Sequence, residues 1–247
     1  MKKGNFDPAL KKEEYYMYGK HAVFAAIQNP KRVIRKIYCT EKLLTDINLV
    51  LKKRQDLVPI EIVNNDFIKN KLRSEATHQG IMALVKSNSL QEIDNLTFEA
   101  GKDRVVILDQ ITDPQNIGTI IRSAAAFGVN KMILPKDNTP EESASIAKTA
   151  SGCLELVQIA RVTNLNQTIK KLKNQGFWVV GMDGKGSEDF SVVKNLDKIA
   201  IIIGSEDTGM RRLTSESCDY HLRIPISSKV ESLNAASAAS IVFYMTA

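Results

Sequence analysis

With 247 residues, 43% hydrophobic, 25% charged and 6% aromatic, the chain is long enough for one large domain or two modest ones and too ordinary in composition to be disordered or collagen-like. Its three cysteines, Cys39, Cys153 and Cys218, are odd in number and never form a CxxC pair, which argues against a disulfide framework and against a cysteine zinc site. The formal charge of +6 is uneven, +5 over residues 1–100 and +1 over 101–247, so a basic first part is expected to hold a polyanion while the second does chemistry; ordinary solvated lysines would give the same balance.

Residues 1–14 are polar and aperiodic and read as a flexible basic tail carrying Lys2, Lys3, Lys11 and Lys12. No apolar run reaches the ~18 residues of a membrane helix, and MKKGNFDPALKKEEYY lacks the apolar core of a signal peptide, so a cytoplasmic location is expected. Then come HAVFAAIQN as a helix, VIRKIYCT as a strand, LLTDINLVLKKRQDL as a helix, PIEIVN as a strand, NDFIKNKLR as a helix and GIMALVK as a strand, which together predict a small α/β domain over 15–86. The polar stretch 87–102 reads as a linker.

From residue 103 the pattern changes to longer apolar strands. RVVILDQ is a continuous apolar run of the kind buried on both faces of a parallel sheet, followed by the helix IGTIIRSAAAFG with Gly128 at its stop. NKMILP, FWVVGMDG and DKIAIIIGSE are further strands; SASIAKTASG, LNQTIKKLKNQG and ESLNAASAASIVFYM are helices. Strand and helix alternate, so a mostly parallel sheet covered on both faces is predicted for 103–247.

Three clusters could carry chemistry. Asn116, Gly118 and Arg122 sit where RVVILDQ runs into a helix; free backbone N–H groups there and a guanidinium suit a phosphate. Gly204, Glu206 and Gly209 follow the strand AIIIG, and glycines at both ends of a short loop let backbone approach a ligand. The loop has neither GxGxxG nor GK[ST], so it is no dinucleotide fingerprint or P-loop. In LRIPISSKVESLNAASAAS, Ile224 and Pro225 end a strand, and Ser232 reads as the N-cap of a helix slim enough to pack at close range. Each cluster alone is also an ordinary turn or cap. All three fall where a buried strand ends, which is where ligands gather in open α/β sheets.

N-x-G-x-x-x-R over 116–122, G-x-E-x-x-G over 204–209 and I-P-x-x-x-x-x-x-S-L-N over 224–234 resemble, in order and spacing, the three motifs of the SpoU (TrmH-type) RNA ribose 2′-O-methyltransferases. KTASG, RVTNL and VVGMDG extend the likeness through 103–247, and YGKHAVFAAI and THQGIMA carry it more weakly over 15–86, a layout most like the subgroup that modifies guanosine in 23S ribosomal RNA. The resemblance implies a trefoil-knotted SPOUT methyltransferase domain, an N-terminal L30e-like RNA-binding domain, S-adenosylmethionine as cofactor, a homodimer and no metal. It also implies that Gly204, Ile224, Leu233, Met182 and Gly209 bind the cofactor, with Asn116, Arg122, Glu206, Ser232 and Asn234 forming the catalytic neighbourhood.

Arg is too basic to act readily as a free base, so Arg122 is expected first to bind phosphate and stabilise a developing alkoxide; family precedent also proposes it as the general base. Asn116 and Ser232 would position the hydroxyl, and Glu206 would brace Asn116 or Arg122. Rival readings are a transfer RNA ribose methyltransferase, a catalytically inactive RNA-binding protein of the same fold, and a nucleotide-dependent oxidoreductase. His21, His78 and His221 form no metal-spaced set, and no cysteine has the setting of a nucleophile. His78, with Gln79 and Gly80, is expected to be structural.

Overall fold

A computed structural model describes residues 10–11, 13–72, 76–89, 93–184 and 186–247. Lys2, Lys3 and Lys12 of the expected tail lie outside the described residues; Glu14, its last residue, opens the first strand. The chain divides into two compact units, Met1–Asn88 with Glu142–Glu155, and Ser89–Glu141 with Leu156–Ala247.

The first unit holds β1 (Glu14–Tyr18), β2 (Ile34–Cys39), β3 (Ile60–Ile62) and β4 (Ile81–Lys86) in the order β1-β4-β2-β3. Antiparallel β1 and β2 flank β4, and β3 pairs parallel with β2. Helices α1 (Lys20–Gln28), α2 (Leu44–Leu51) and α3 (Asn65–Leu72) connect them, α1 burying Val23, Ala26 and Ile27, α2 burying Ile47 and α3 burying Ile68. A further helix, Ala144–Ala150, packs against β1 and α1 although it comes from far downstream.

That excursion is fastened by Arg32, whose side chain is fully buried. Its Nη1 donates to Glu142 and to the Lys86 carbonyl, and its Nε donates to Glu155 Oε1 at 2.9 Å. Burial works against the guanidinium charge, but Glu142, Tyr15 and Glu155 outweigh it and raise the group above its usual range. Burial first, and then Glu142, push the Tyr15 hydroxyl well above the ordinary phenol range, so it stays neutral and donates to Glu142 Oε1 at 2.7 Å. Removing one partner from such a buried set costs about 3–5 kcal/mol, because a charge is left unmatched. No local pattern of residues marks Glu142–Glu155 as part of the first unit.

The second unit is built on a six-stranded sheet: β5 (Asp103–Leu108), β6 (Lys131–Pro135), β7 (Gln158–Val162), β8 (Trp178–Met182), β9 (Lys198–Ile203) and β10 (Tyr220–Leu222), in the order β10-β8-β9-β5-β6-β7. Every pairing in it is parallel. The helices are α4 (Pro114–Ala126), α6 (Leu165–Asn174), α7 (Arg212–Glu216) and α8 (Ala235–Thr246), α5 being the Ala144–Ala150 helix of the first unit. Val105, Ile107, Ile133, Val179 and Ile202 on one face of the sheet meet Leu165, Ile169 and Leu172 of α6. Ile93 and Leu96, inside the stretch read as a linker, join this core, so that stretch is packed structure at least there.

Two buried cations tie the lower end together. Lys131 Nζ reaches Asp103 Oδ1 at 2.7 Å, and Arg104 Nε donates to the Thr246 carbonyl at 2.9 Å, satisfying an orphan carbonyl in the last turn of α8. Compared with the elements read from sequence, β1, β7 and α7 are additions, and β10 ends at Leu222, two residues before Ile224. Among the described residues, no helix is long and apolar enough to cross a membrane, and no group of His, Cys, Asp or Glu could hold a metal ion.

Candidate active site

Three strand ends and two helix starts build the site. After β9 the chain turns sharply through residues 205–209, closed by Ser205 N to Gly209 O at 3.2 Å and Gly209 N to Ser205 O at 3.0 Å. Gly204 makes this turn possible by having no side chain: a Cβ there would lie 2.4 Å from Gly209 C and 2.5 Å from Met210 N, both backbone. The turn is anchored to the end of β5 by Asp109, fully buried, which accepts from Arg211 N at 2.9 Å and Arg211 Nε at 2.7 Å.

Beyond β5, Asp113 caps α4 by accepting from Gln115 N, with Pro114 in the first turn, where its missing N–H costs nothing. This cap puts Asn116 in the first turn of α4. Asn116 Nδ2 donates to Glu206 Oε1 at 2.9 Å. Asn234 Nδ2 donates to Asn116 Oδ1 at 2.9 Å and to Glu206 Oε1 at 2.8 Å, while Ala235 N donates to the same carboxylate oxygen at 3.1 Å. One carboxylate therefore sits at the N-terminus of α8, where the helix dipole favours an anion, and gathers Asn116 with Asn234 and Ala235, which lie more than a hundred positions further along the chain.

Asn234 is also the N-cap of α8, its Oδ1 accepting from Ala236 N and Ser237 N. This corrects the reading of Ser232 as the cap. The small residues that follow serve close packing: Ala235, Ala236 and Ala239 are buried, and Ser240 Oγ meets Ser123 Oγ of α4 at 2.7 Å.

Beside this node lies a cavity of about 400 Å³, within the roughly 300–1,000 Å³ typical of small-molecule sites. Met182, Gly204, Gly209, Ile224 and Leu233, the five expected cofactor contacts, all line it, as do Glu206 and Ser232. Met210, Asp183 and Ile226 line it too and were not foreseen. Asp109 and Arg211 were also missed as supports of the loop; the Asp closing the apolar run RVVILD was the available signal.

Two expected site residues stand apart. Arg122 is exposed, lies six residues past Asn116 or about 9 Å along α4, and makes no hydrogen bond or ion pair among the described residues. Ser232 reaches the cavity but is exposed and likewise without a hydrogen bond among the described residues. Burial pushes the nearby Cys218 thiol up to about 12, so it is no nucleophile at neutral pH.

Residues 103–244 match the family model described as the SpoU rRNA Methylase family, and residues 16–91 match the one described as RNA 2'-O ribose methyltransferase substrate binding. The chain belongs to the SpoU methylase family.

It is accordingly an RNA methyltransferase of the TrmH/SpoU type. A Staphylococcus aureus protein named for the TrmH family of tRNA/rRNA methyltransferases is 37% identical over 239 residues, covering 94% of this chain and 95% of its own length. YacO of Bacillus subtilis, named for the same family, is 33% identical over 246 residues, covering 95% of this chain and 96% of its own. In fold, the chain is similar to the SpoU methyltransferase AviRb from Streptomyces viridochromogenes, solved in complex with the cofactor AdoMet, at TM-score 0.81 and 21% identity over 95% of this chain and 89% of that one. The AdoMet-bound rRNA methyltransferase from Sinorhizobium meliloti gives TM-score 0.80 at 23% identity, over 95% and 87%.

Proposed function

We propose that this SpoU family chain transfers a methyl group from S-adenosylmethionine to a ribose 2′-hydroxyl of structured RNA, in the cavity beside Glu206. The observation that carries the reading is the convergence of Asn116, Asn234 and the Ala235 N–H on one carboxylate oxygen of Glu206 at the wall of that cavity. The walls fit the cofactor: Ile224, Leu233, Met182 and Met210 offer apolar surface, and the carboxylates Glu206 and Asp183 suit a cationic ligand. When bound, S-adenosylmethionine supplies a methyl group already activated by a positive sulfonium.

The protein's part is then to orient an oxygen and stabilise it while its proton leaves to solvent. Glu206 holds the amides of Asn116 and Asn234 in place, so that Asn116, with Ser232, can position the ribose hydroxyl. Arg122 is too basic to give up its proton readily, and its role here is to grip the phosphate next to the target ribose and stabilise the developing alkoxide. Standing free of the node in its own chain, Arg122 is read as serving the pocket of a second copy. The exposed apolar side chains Ile241, Tyr244 and Met245 of α8 support pairing with that copy. The trefoil knot of related enzymes is part of the same reading.

Residues 15–86 are taken as the RNA-binding domain, supported by the substrate-binding match and the positive charge of the first part. Guanosine in 23S ribosomal RNA is the proposed target, in the cytoplasm, on the likeness of the domain layout. The deciding experiment incubates the purified chain with labelled S-adenosylmethionine and RNA from a strain lacking the gene, fractionated into ribosomal and transfer RNA, then digests the product to nucleosides. Labelled 2′-O-methylguanosine from the large ribosomal RNA is expected. Label only in transfer RNA would move the target, and a base-methylated nucleoside or no label would overturn the reading.

A further inference from the structure

A second hollow, of about 580 Å³, opens in the first unit, where α3 faces the turn that enters β4. We infer that this hollow takes one unstacked nucleotide of the substrate RNA, its phosphates held by Lys42 and Lys69 and its base met by the imidazole N–H of His78. The inference rests on the proposed RNA-binding role of this unit and names where in it the RNA is gripped.

His78 is only 7% exposed and lines the hollow. Its Nδ1 accepts the backbone N–H of Gly80 at 3.1 Å, which fixes the neutral ring with its proton on Nε2. That Nε2–H donates to no described residue, so the ring presents one donor to whatever fills the space. Burial, with Lys69 and Lys148 adding to it, lowers the His78 pKa and keeps the ring neutral. A neutral donor fixed by a backbone bond is suited to a base edge rather than to a phosphate.

The wall behind His78 is rigid. Gln79 and Gly80 both have positive φ, +57° and +77°, and a Cβ on Gly80 would fall 2.8 Å from Thr40 Oγ1. Thr40 N donates to the Gly80 carbonyl and Ile81 N to that of His78, so the turn is pinned between β2 and β4. Strained backbone held this firmly beside an open hollow is typical of a binding site. At the rim, Lys42 and Lys69 are exposed and make no ion pair among the described residues, which leaves both cations for phosphate.

The test compares full-length Lys42→Ala/Lys69→Ala with Lys52→Ala/Lys53→Ala, an equal loss of charge at exposed lysines of the same unit that do not line the hollow. Binding of end-labelled, protein-free ribosomal RNA and of unfractionated transfer RNA is measured by anisotropy from low to physiological salt. Loss of two single-strand phosphate contacts should flatten the log–log salt dependence by about 1.4 and weaken binding about tenfold, with little change in the control pair. As a second readout, ribosomal RNA carrying 4-thiouridine should crosslink to the peptide containing residues 77–80, and less so in the hollow variant. Equal effects in both variants, or crosslinks elsewhere only, would overturn the hollow while leaving the RNA-binding reading intact. Failure of the wild-type chain to bind either RNA would overturn both.

Discussion

Asn234 grips Glu206 with one side-chain atom and starts α8 with the other: Nδ2 lies 2.8 Å from Glu206 Oε1, and Oδ1 accepts the N–H groups of Ala236 and Ser237. Stability and site geometry thus share one residue, and substitutions can pull the two apart.

Asn234→Ala should lose both roles, costing about 1 kcal/mol of stability and so about 2–4 °C in Tm. Asn234→Ser keeps a capping oxygen but no amide donor, so its Tm should stay near wild type while methylation falls with that of the alanine variant. Thermal melts run beside methyl-transfer assays check this; a serine variant with full activity would show that the donor is idle.

Glu206→Ala leaves Asn116, Asn234 and Ala235 N without their common acceptor. Because Glu206 is exposed, water replaces part of the loss, and a drop in kcat/KM of roughly 10- to 100-fold is expected, corresponding to about 1.4–2.7 kcal/mol. Glu206→Gln, which keeps an acceptor without the charge, should fall between alanine and wild type.

Gly204→Ala and Gly181→Ala offer a contrast in steric cost. At Gly204 the new carbon would meet backbone atoms at 2.4–2.5 Å, so the loop must move and cofactor binding, read by calorimetry, should be lost. At Gly181 it would meet Cys218 Sγ and Met210 Cε, each at 2.7 Å, and Met210 can change rotamer, so a weaker but measurable cofactor affinity is expected.

Co-expression of Arg122→Ala with Asn234→Ala tests whether a site is shared. If Arg122 serves the opposite pocket and Asn234 its own, each mixed dimer has one intact site, and random pairing restores roughly a quarter of wild-type activity. With confirmed mixed dimers and no recovery, the shared site is rejected.

The Cys218 thiol, raised to about 12 by burial, makes stability depend on pH at the alkaline end. An acid whose folded pKa is raised contributes stability that is whole below its unfolded value and is lost as pH climbs toward the folded one. Denaturant melts should therefore weaken between about pH 9 and pH 12, and Cys218→Ala should flatten that decline. Tyr15 ionises above its usual range in both proteins and cancels in the comparison.

How much of this was legible in the sequence varies by element. The strands of the second unit were readable because Val105 to Leu108 and Ile199 to Ile203 are apolar on both faces, as central parallel strands must be. β7 escaped because Arg161 interrupts it; in the fold that guanidinium is buried and donates to the Pro140, Lys136 and Thr139 carbonyls, a solution no local pattern shows. β1 escaped because it adjoins a charged tail and has no clean alternation. Within the site, motif spacing marked Asn116, Glu206 and Asn234, but only the fold shows that one carboxylate oxygen joins them. Arg122 was marked by the same motif and stays outside the node.

A single unit closed by two distant segments also sets an order of events during synthesis. Glu142, the first residue of the returning segment, leaves the ribosome 54 residues after Asn88, which at ~5–20 residues per second is a delay of roughly 3–11 s. Throughout that interval Arg32 has neither Glu142 nor Glu155, and the face of β1 and α1 that the Ala144–Ala150 helix covers is bare. The nascent chain must therefore keep its first unit unfinished while β5, α4 and β6 of the second are already being made.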